Sequence, residues 1–213
     1  MIDYLKKPMA IENRSMEIIA PYLDGLHLDE AATKVCSRMI HAAGDVGYAD
    51  IIRVSPDAIK QGMAALRQGC DIYTDVEMVR TGINKRKLKE FGGEVHCLIA
   101  DPDVAARAKA EQTTRSIIAM REFGERLDGS IVAIGNAPTA LFEVLRQVRD
   151  EGRRPACIIG IPVGFVGAAD SKQALADNGL VPYITVLGTK GGSPIAVAAV
   201  NALMYLIDNT RDY

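Results

Sequence analysis

The feature that most constrains the fold is an alternation of short apolar segments with amphipathic stretches from residue 51 onward. The apolar segments predict strands over Ile51–Val54, Cys70–Tyr73, Val95–Ala100, Ser130–Ile134, Ala156–Ile161 and Tyr183–Leu187. The spacing between them predicts helices over 83–90, 102–127, 138–150, 169–178 and 194–207. Strands in succession with helices indicate a parallel sheet, and continuous apolar runs are typical of strands buried on both sides. The sequence therefore predicts an α/β fold: a three-layer, doubly wound, mainly parallel sheet with helices on both faces.

The amino-terminal third precedes this alternation and has a helical pattern. Apolar residues recur at three- and four-residue spacing over about 10–22 and 28–43, and Gly44 is a predicted helix stop. The segment Ser55–Asp57 has the cap and the proline that are typical of a helix start. Because no linker, repeat or low-complexity tract divides the chain, we predict a single domain over residues 1–213.

Charge and hydropathy narrow the classes of partner. The formal net charge of −2 gives no overall attraction for nucleic acid or an anionic membrane. The longest apolar stretches, 156–169 and 195–207, are too short or too interrupted by Gly and Pro to span a bilayer. The amino-terminal residues lack the apolar core of a signal peptide, so we expect a cytoplasmic protein. Scattered cysteines without a C-x-x-C pair predict buried free thiols at Cys36, Cys70, Cys97 and Cys157.

Three consecutive predicted strands run into glycine-rich loops, at 135–139, 160–167 and 188–193. In a parallel sheet such loops share one edge, where ligands bind. Free backbone N–H groups and helix amino termini there favour anions, which predicts a broad binding surface. The alternative is that the glycines serve only tight turns and close packing. Nucleotide-binding glycine patterns and the G-x-S-x-G elbow of hydrolases do not occur.

Candidate acid–base groups are few. Of the three histidines, His27 lies in a polar turn and His96 inside a strand, which favours surface or structural roles. His41 lies near the end of a predicted helix, where an imidazole can project into a cleft and transfer a proton near neutral pH. His41 is therefore the candidate for proton transfer, with a structural role as the alternative.

Arginines and a group of acids complete the candidates. Arg14 and Arg115 have the planar donor fork that suits carboxylates, or are solvated surface charges. Asp71, Asp75 and Glu77 cluster around the end of a strand and could ligate a hard metal. A helix-capping role for Asp75 is the favoured interpretation, so we predict no metal site of the protein's own.

An ordered series of segments resembles one known family. The segments are Ile11–Ser15, the surroundings of His41, Thr114–Ser116, Ile134–Leu141, Pro162–Ala169 with Ser171 and Lys172, and Gly188–Ser193. Over roughly residues 8–206 they resemble precorrin-8X methylmutases. The resemblance implies an isomerase that needs no cofactor and moves a methyl group from C11 to C12 of the corrin macrocycle, to give cobyrinic or hydrogenobyrinic acid.

The resemblance also implies roles for individual residues. His41 matches the active-site histidine of the family, which donates a hydrogen bond or a proton to the ring. Ser15 and Arg115 match ring-contacting residues, whereas Asn84 stands where some members have Thr, which leaves its role open. The predicted substrate-binding residues are Ser15, Asn84, Arg115, Gly135, Asn136, Gly164, Lys190, Gly191, Gly192 and Ser193.

Substrate form and assembly follow from the same resemblance. Residues 73–75 and 82–86 are similar to members that act on cobalt-precorrin-8, which favours that substrate over metal-free precorrin-8X. The cobalt would arrive inside the tetrapyrrole. The family implies a homodimer or other homo-oligomer with active sites near subunit contacts. Two alternatives are a non-catalytic corrinoid carrier, which would not need His41, and a nucleotide-dependent enzyme with an atypical phosphate loop.

Overall fold

The structure is a computed structural model that describes residues 5–208; the remaining terminal residues of the predicted 1–213 domain lie outside it. The α-helices in this range are α1 Pro8–Leu23, α2 Glu30–Ala43, α3 Ala58–Arg67, α4 Glu77–Gly82, α5 Lys85–Phe91, α6 Pro102–Ala110, α7 Arg115–Phe123, α8 Pro138–Asp150, α9 Ala168–Asp177 and α10 Ser193–Asp208. The strands are β1 Ile52–Val54, β2 Ile72–Thr74, β3 Val95–Cys97, β4 Ile131–Ile134, β5 Cys157–Gly160 and β6 Tyr183–Val186. None of the helices described is both long enough and apolar enough to cross a membrane.

All six strands form one sheet in the order β1-β6-β5-β4-β2-β3. The pairs from β6 through β3 are parallel, whereas β1 is antiparallel to β6, with Ile52 opposite Val186. The predicted mainly parallel α/β sheet is therefore confirmed. Because β1 is antiparallel to β6, it begins at the edge of the sheet where β6 ends, and the chain before β1 therefore reaches the same edge as the loop after β6.

The two faces of the sheet bury separate apolar cores. Alternation along β4 sends Ile131 and Ala133 into one core and Val132 and Ile134 into the other. The first core includes residues of α2, α3, α4, α5 and α10, and the second includes residues of α7, α8 and α9. Helices on both faces and strands buried on both sides confirm the predicted three layers.

One prediction of helix extent is wrong, and one short helix has no predicted counterpart. The predicted helix over 102–127 is two helices, because the chain turns at Gln112 (φ 51°) and the Thr114 hydroxyl accepts a hydrogen bond from the Ile117 N–H at 3.2 Å. Thr114 therefore caps a new helix rather than continuing the old one. The short helix α4, over Glu77–Gly82, has too few turns to leave a periodic signal and was not predicted.

Of the two helix limits predicted near the first strand, the start of α3 is wrong and the end of α2 is correct. The Ser55-Pro56 start is wrong, since α3 begins at Ala58 and the Ser55 hydroxyl instead accepts the Tyr183 N–H at 2.9 Å. That bond ties the end of β1 to the start of β6. The predicted stop at Gly44 is confirmed, because Gly44 (φ 63°) donates its N–H to the Ile40 carbonyl at 2.9 Å.

The four cysteines are free thiols, as predicted, although only two are fully buried. Cys36 and Cys157 are buried, and Cys70 and Cys97 are partly exposed. Burial raises the pKa of Cys36, Cys70 and Cys157 to about 12. These three thiols therefore stay protonated at neutral pH, which argues against a nucleophilic role.

Candidate functional site

One edge of the sheet collects the loops that the sequence singled out. Strands β4, β5 and β6 are parallel and end at this edge, where they lead into loops 135–137, 161–167 and 187–192. Because β1 is antiparallel to β6, the segment 44–51 that leads from α2 into β1 reaches the same edge. We call these four segments the carboxyl edge.

His41 is exposed in the last turn of α2, directly before the carboxyl edge. Gly44 ends the helix there, and its N–H also contacts the His41 carbonyl at 3.3 Å. Within residues 5–208 the imidazole of His41 has no hydrogen bond or ion pair, so both ring nitrogens are available to a ligand. The carboxylate of Asp45 accepts the Gly47 N–H at 2.8 Å and fixes the turn that follows.

Lys190 links the segment after His41 to the loop after β6. Its Nζ lies 2.5 Å from Asp45 Oδ2 and 5.5 Å from the centre of the Tyr48 ring. The hydrogen bond from Lys190 lowers the pKa of Asp45, and the same bond raises the pKa of Lys190. Burial raises the pKa of Tyr48. Lys190 therefore stays protonated and exposed at this edge, although its charge is shared with Asp45.

The loops after β5 and β6 are hydrogen-bonded to each other. Gly164 donates its N–H to the Thr189 carbonyl at 3.1 Å, and Gly192 donates to the Ile161 carbonyl at 2.9 Å. A Cβ at Gly191 (φ 153°) would lie 2.7 Å from the Ile161 carbonyl oxygen, so this close approach requires glycine. The two loops thus form a rigid rim, and the N–H groups of Gly164 and Gly192 are not free for an anion.

The loop after β4 is occupied by a buried carboxylate. Asp75, fully buried, accepts the N–H groups of Gly135 at 3.0 Å, Asn136 at 2.9 Å and Ala137 at 2.6 Å. Burial raises the pKa of Asp75, and the three N–H donors oppose that rise. The expectation of free N–H groups is therefore wrong for this loop. The helix-capping role favoured for Asp75 is wrong, because the three N–H groups that it binds all precede Pro138, the first residue of α8. Asp75 instead fixes the loop after β4.

Close packing explains two further residues of the loops. A Cβ at Gly135 would lie 2.6 Å from the Cα of Ser193 and 2.7 Å from Val79 Cγ2. Gly135 and Ser193 are both buried, which fits the interpretation that some of these glycines serve packing. The side chain of Asn136 is exposed and makes no hydrogen bond among the described residues, so it remains available to a ligand.

Ser15 lies on α1, beside α2 and at some distance from His41. Its hydroxyl donates to the Ile11 carbonyl at 3.0 Å. An ion pair between Glu12 and Arg38 joins the two antiparallel helices. Ser15 and His41 lie on opposite sides of that pair, about 9 Å apart along the helix axes at 1.5 Å per residue. A macrocycle is wide enough to span this distance.

Asn84 has its polar groups engaged within the protein. Its N–H donates to Asn201 Oδ1 at 2.9 Å and its side-chain amide to the Tyr205 hydroxyl at 3.2 Å. Its Oδ1 accepts the Lys87 N–H at 3.1 Å and caps α5. Asn201 lies about 12 Å along α10 from Ser193 at the carboxyl edge. The structure therefore gives Asn84 a capping role and does not bring it to His41.

Arg115 lies on the other face of the sheet from His41. It is the first residue of α7, which packs in the second core, whereas α2 packs in the first. The Thr114 hydroxyl donates to the Thr139 hydroxyl at 3.1 Å, which holds the start of α7 near the start of α8. Arg115 is exposed, and its guanidinium forms no ion pair within the part of the chain described. It can bind a carboxylate at this end of the sheet.

The other titratable candidates have structural partners. His96 lies 3.0 Å from Asp71 and stacks on Tyr73 with ring centres 5.1 Å apart. Glu77 pairs with Arg80 at 2.7 Å. The three acids that the sequence grouped do not converge, and residues 5–208 contain no group of three or more metal-ligating side chains. His27 is exposed, in agreement with its predicted surface role.

Sequence reasoning gave no role to two residues of this site, Asp45 and Lys172. Asp45 directly follows the helix stop Gly44, a position where an acid commonly caps the next turn. Lys172 lies on α9 at helical spacing from the buried residues Ala168 and Leu175, a pattern that predicts burial of a charged side chain. Its Nζ donates a hydrogen bond to the Lys190 carbonyl.

Comparisons with known proteins agree with this architecture. The profile of the precorrin-8X methylmutase family matches residues 10–206. The chain is 42% identical over 207 residues to a cobalt-precorrin-8 methylmutase of Priestia megaterium, with 97% of this chain and 92% of that protein covered. It is 45% identical over 202 residues to a precorrin-8X methylmutase of Sinorhizobium sp, with 94% and 96% covered.

A solved structure extends the match to three dimensions. The precorrin-8X methylmutase of Thermus thermophilus superposes with a TM-score of 0.84 at 38% sequence identity and covers 94% of this chain and 98% of its own. Sequence and fold agree over nearly the whole length of both chains. The chain therefore belongs to the precorrin-8X methylmutase family and is an isomerase of the methylmutase type.

Proposed function

We propose that this methylmutase moves a methyl group from C11 to C12 of cobalt-precorrin-8 and that His41 is its catalytic residue. The observation that carries the proposal is the free imidazole of His41 beside the carboxyl edge. The loops around it are hydrogen-bonded to each other, so the surface is rigid before substrate binds. Rigid surroundings with one proton-handling group suit a rearrangement inside a bound ligand.

The chemistry requires little besides positioning. The bond between C11 and the methyl carbon breaks while the bond to C12 forms, so the reaction needs no external nucleophile, hydride or leaving group. His41 donates a hydrogen bond or a proton to the ring and stabilises the charge that develops as the methyl group moves. Lys190, Arg115 and the side chain of Asn136 are exposed donors for the peripheral carboxylates.

The substrate form is tested by turnover. Purified protein is incubated with cobalt-precorrin-8 and, separately, with metal-free precorrin-8X, while the visible spectrum is followed. Conversion to the spectrum of a corrin with its methyl group at C12 supports the methylmutase, and the faster of the two reactions names the natural substrate. Tight binding without conversion of either compound supports the corrinoid carrier instead.

We infer that two copies of the chain complete each active site. His41 and Arg115 belong to helices on opposite faces of the sheet, which is a wide separation for one ring to bridge within one chain. Between them, the loop after β5 exposes Val163, Phe165 (95% exposed) and Val166 (90% exposed). An exposed apolar group of this kind beside a binding edge is typical of a subunit contact.

Subunit complementation tests this inference. His41→Ala and Arg115→Ala variants are each expected to lose most activity, and a mixture that exchanges subunits is expected to recover it. If the two residues of one site come from different copies, half of the dimers are mixed and each has one intact site, which gives about one quarter of wild-type activity. No recovery after verified exchange means that both residues serve the same site from one copy.

We further propose that the protein works in the cytoplasm and binds no nucleic acid. The small negative net charge and the absence of a membrane-spanning helix within residues 5–208 support this. Fractionation of cells and a filter-binding assay with duplex DNA test the two statements. Recovery in the membrane fraction, or salt-dependent retention of DNA, would contradict them.

A further inference from the structure

Lys172 is a lysine with a buried side chain. Its side chain is 0% exposed in the face of α9 that packs against the sheet. Its Nζ donates a hydrogen bond to the backbone carbonyl of Lys190, and within residues 5–208 no carboxylate pairs with it. Burial lowers the pKa of Lys172 to about 8. A buried ammonium group without an acidic partner is costly, which suggests a role other than stability.

Lys87 is a useful contrast. Its side chain is also largely covered, at 12% exposure, but it forms ion pairs with Asp208 and with Glu90. Two carboxylates compensate its charge, so a structural role explains it fully. The partner of the Lys172 ammonium group among the described residues is, by contrast, a neutral carbonyl oxygen.

The contacts of Lys172 lead toward His41. Lys172 holds the backbone of Lys190, and the side chain of Lys190 forms the 2.5 Å ion pair with Asp45. Asp45 accepts the Gly47 N–H at 2.8 Å and directly follows the residue that ends α2. Two polar contacts and one backbone link, from Asp45 to Gly44, therefore join a buried position on α9 to the end of the helix that carries His41.

We propose that Lys172 is a positioning residue for His41, which acts by fixing the loop at Lys190 and, through the ion pair with Asp45, the end of α2. The proposal rests on the proposed catalytic role of His41. It adds that Lys172, which lies too deep to contact the substrate, determines the position of the His41 imidazole through the loop after β6. Lys190 has two contacts in this arrangement. Its backbone carbonyl accepts the hydrogen bond from Lys172, and its ammonium group pairs with Asp45.

The test compares Lys172→Met with Lys87→Met in the full-length protein. Methionine keeps most of the side-chain volume and removes the donor. For Lys172→Met we expect kcat for cobalt-precorrin-8 to fall about 10- to 100-fold with KM little changed, the size of effect that a small displacement of a catalytic group produces. For Lys87→Met we expect kcat within about twofold of wild type.

A second measurement follows His41 itself, without substrate. The ring-proton NMR signal of His41, identified by its loss in His41→Ala, is expected to shift in Lys172→Met and to stay unchanged in Lys87→Met. The signals of His27 and His96 serve as internal controls, because neither residue contacts the Lys172–Lys190–Asp45 series. This readout is independent of turnover, so it tests the positioning even if the wild-type protein converts no substrate and the proposed function fails.

Asp45→Asn and the double variant complete the design. If the two residues act in one series, the kcat of the double variant is close to that of Lys172→Met alone rather than the product of two separate losses. An unmoved His41 signal in Lys172→Met, a wild-type kcat, or independent losses in the double variant would each overturn the proposal.

Discussion

Replacing Lys172 by methionine is expected to make the protein more stable at neutral pH. One pKa unit corresponds to about 1.4 kcal/mol, so a pKa of about 8 in place of the ordinary 10.5 makes the charged form of the buried lysine unfavourable by about 3 kcal/mol. Losing the hydrogen bond to the exposed Lys190 removes about 1 kcal/mol of stabilisation. The Lys172→Met variant should therefore have a free energy of unfolding about 2 kcal/mol above that of wild type at pH 7.

The advantage should shrink as the pH rises. Between pH 8 and pH 10.5 the unfolded chain keeps the Lys172 proton while the folded chain loses it, so raising the pH favours the folded wild-type protein. With these two pKa values the wild type gains about 1 kcal/mol by pH 9 and about 2–3 kcal/mol by pH 10, relative to a chain without this lysine. By pH 10 the variant and the wild type should be nearly equal in stability.

Urea unfolding at pH 7, 8, 9 and 10 measures the difference between the two proteins, in which the titration of all other groups largely cancels. The matched variant Lys87→Met should show no gain at pH 7, because two carboxylates pair with Lys87. A Lys172→Met variant that is less stable than wild type at pH 7, or a difference that is constant from pH 7 to pH 10, would refute the reasoning. Greater stability together with slower turnover is typical of a residue kept for function.

Three further predictions concern the loops of the carboxyl edge. Asp75→Ala leaves three N–H groups without their acceptor, two of them on buried residues, and should cost about 3 kcal/mol. Asp101→Ala at the cap of α6 should cost about 1 kcal/mol, and equal urea midpoints for the two variants would contradict this. Gly135→Ala should lower the free energy of unfolding by about 1–3 kcal/mol because its Cβ would overlap Ser193, whereas Gly25→Ala meets nothing within 4 Å; similar thermal midpoints would argue against close packing at Gly135. Phe165→Asp should convert the proposed dimer to monomers in sedimentation velocity, and an unchanged mass would remove the β5 loop from the subunit contact.

Much of the fold could be predicted because its signals are local. Apolar runs buried on both faces identify strands such as Ile131–Ile134 directly, and Gly44 ends a helix through its own positive φ. The break in the predicted helix over 102–127 is hard to see in the sequence because the polar run 111–116 contains no Gly or Pro that would mark a turn. The start of the second helix depends on the Thr114 hydroxyl, which accepts the Ile117 N–H. Such a capping hydrogen bond leaves almost no trace in the pattern of apolar residues.

The candidate site was less predictable, because its contacts join residues far apart in sequence. The position of His41 before a helix stop is visible in the sequence, but the carboxylate that occupies the loop at Gly135 comes from Asp75, 60 residues earlier. The sequence predicts free N–H groups in the loop at Gly135 because no local pattern indicates that the distant Asp75 carboxylate binds them. The ion pair between Asp45 and Lys190 spans 145 residues and depends on the antiparallel direction of β1, which no local pattern specifies.

The central claim is that His41, at the end of α2, carries out the methyl migration. Single-turnover conversion of cobalt-precorrin-8 by His41→Ala tests it most directly, with His27→Ala as the control because His27 is exposed away from the series that holds His41. We predict that His41→Ala binds the tetrapyrrole, as seen in a spectral titration, and forms no C12-methylated corrin, while His27→Ala converts it at the wild-type rate. Undiminished conversion by His41→Ala would contradict the claim and remove His41 from the mechanism.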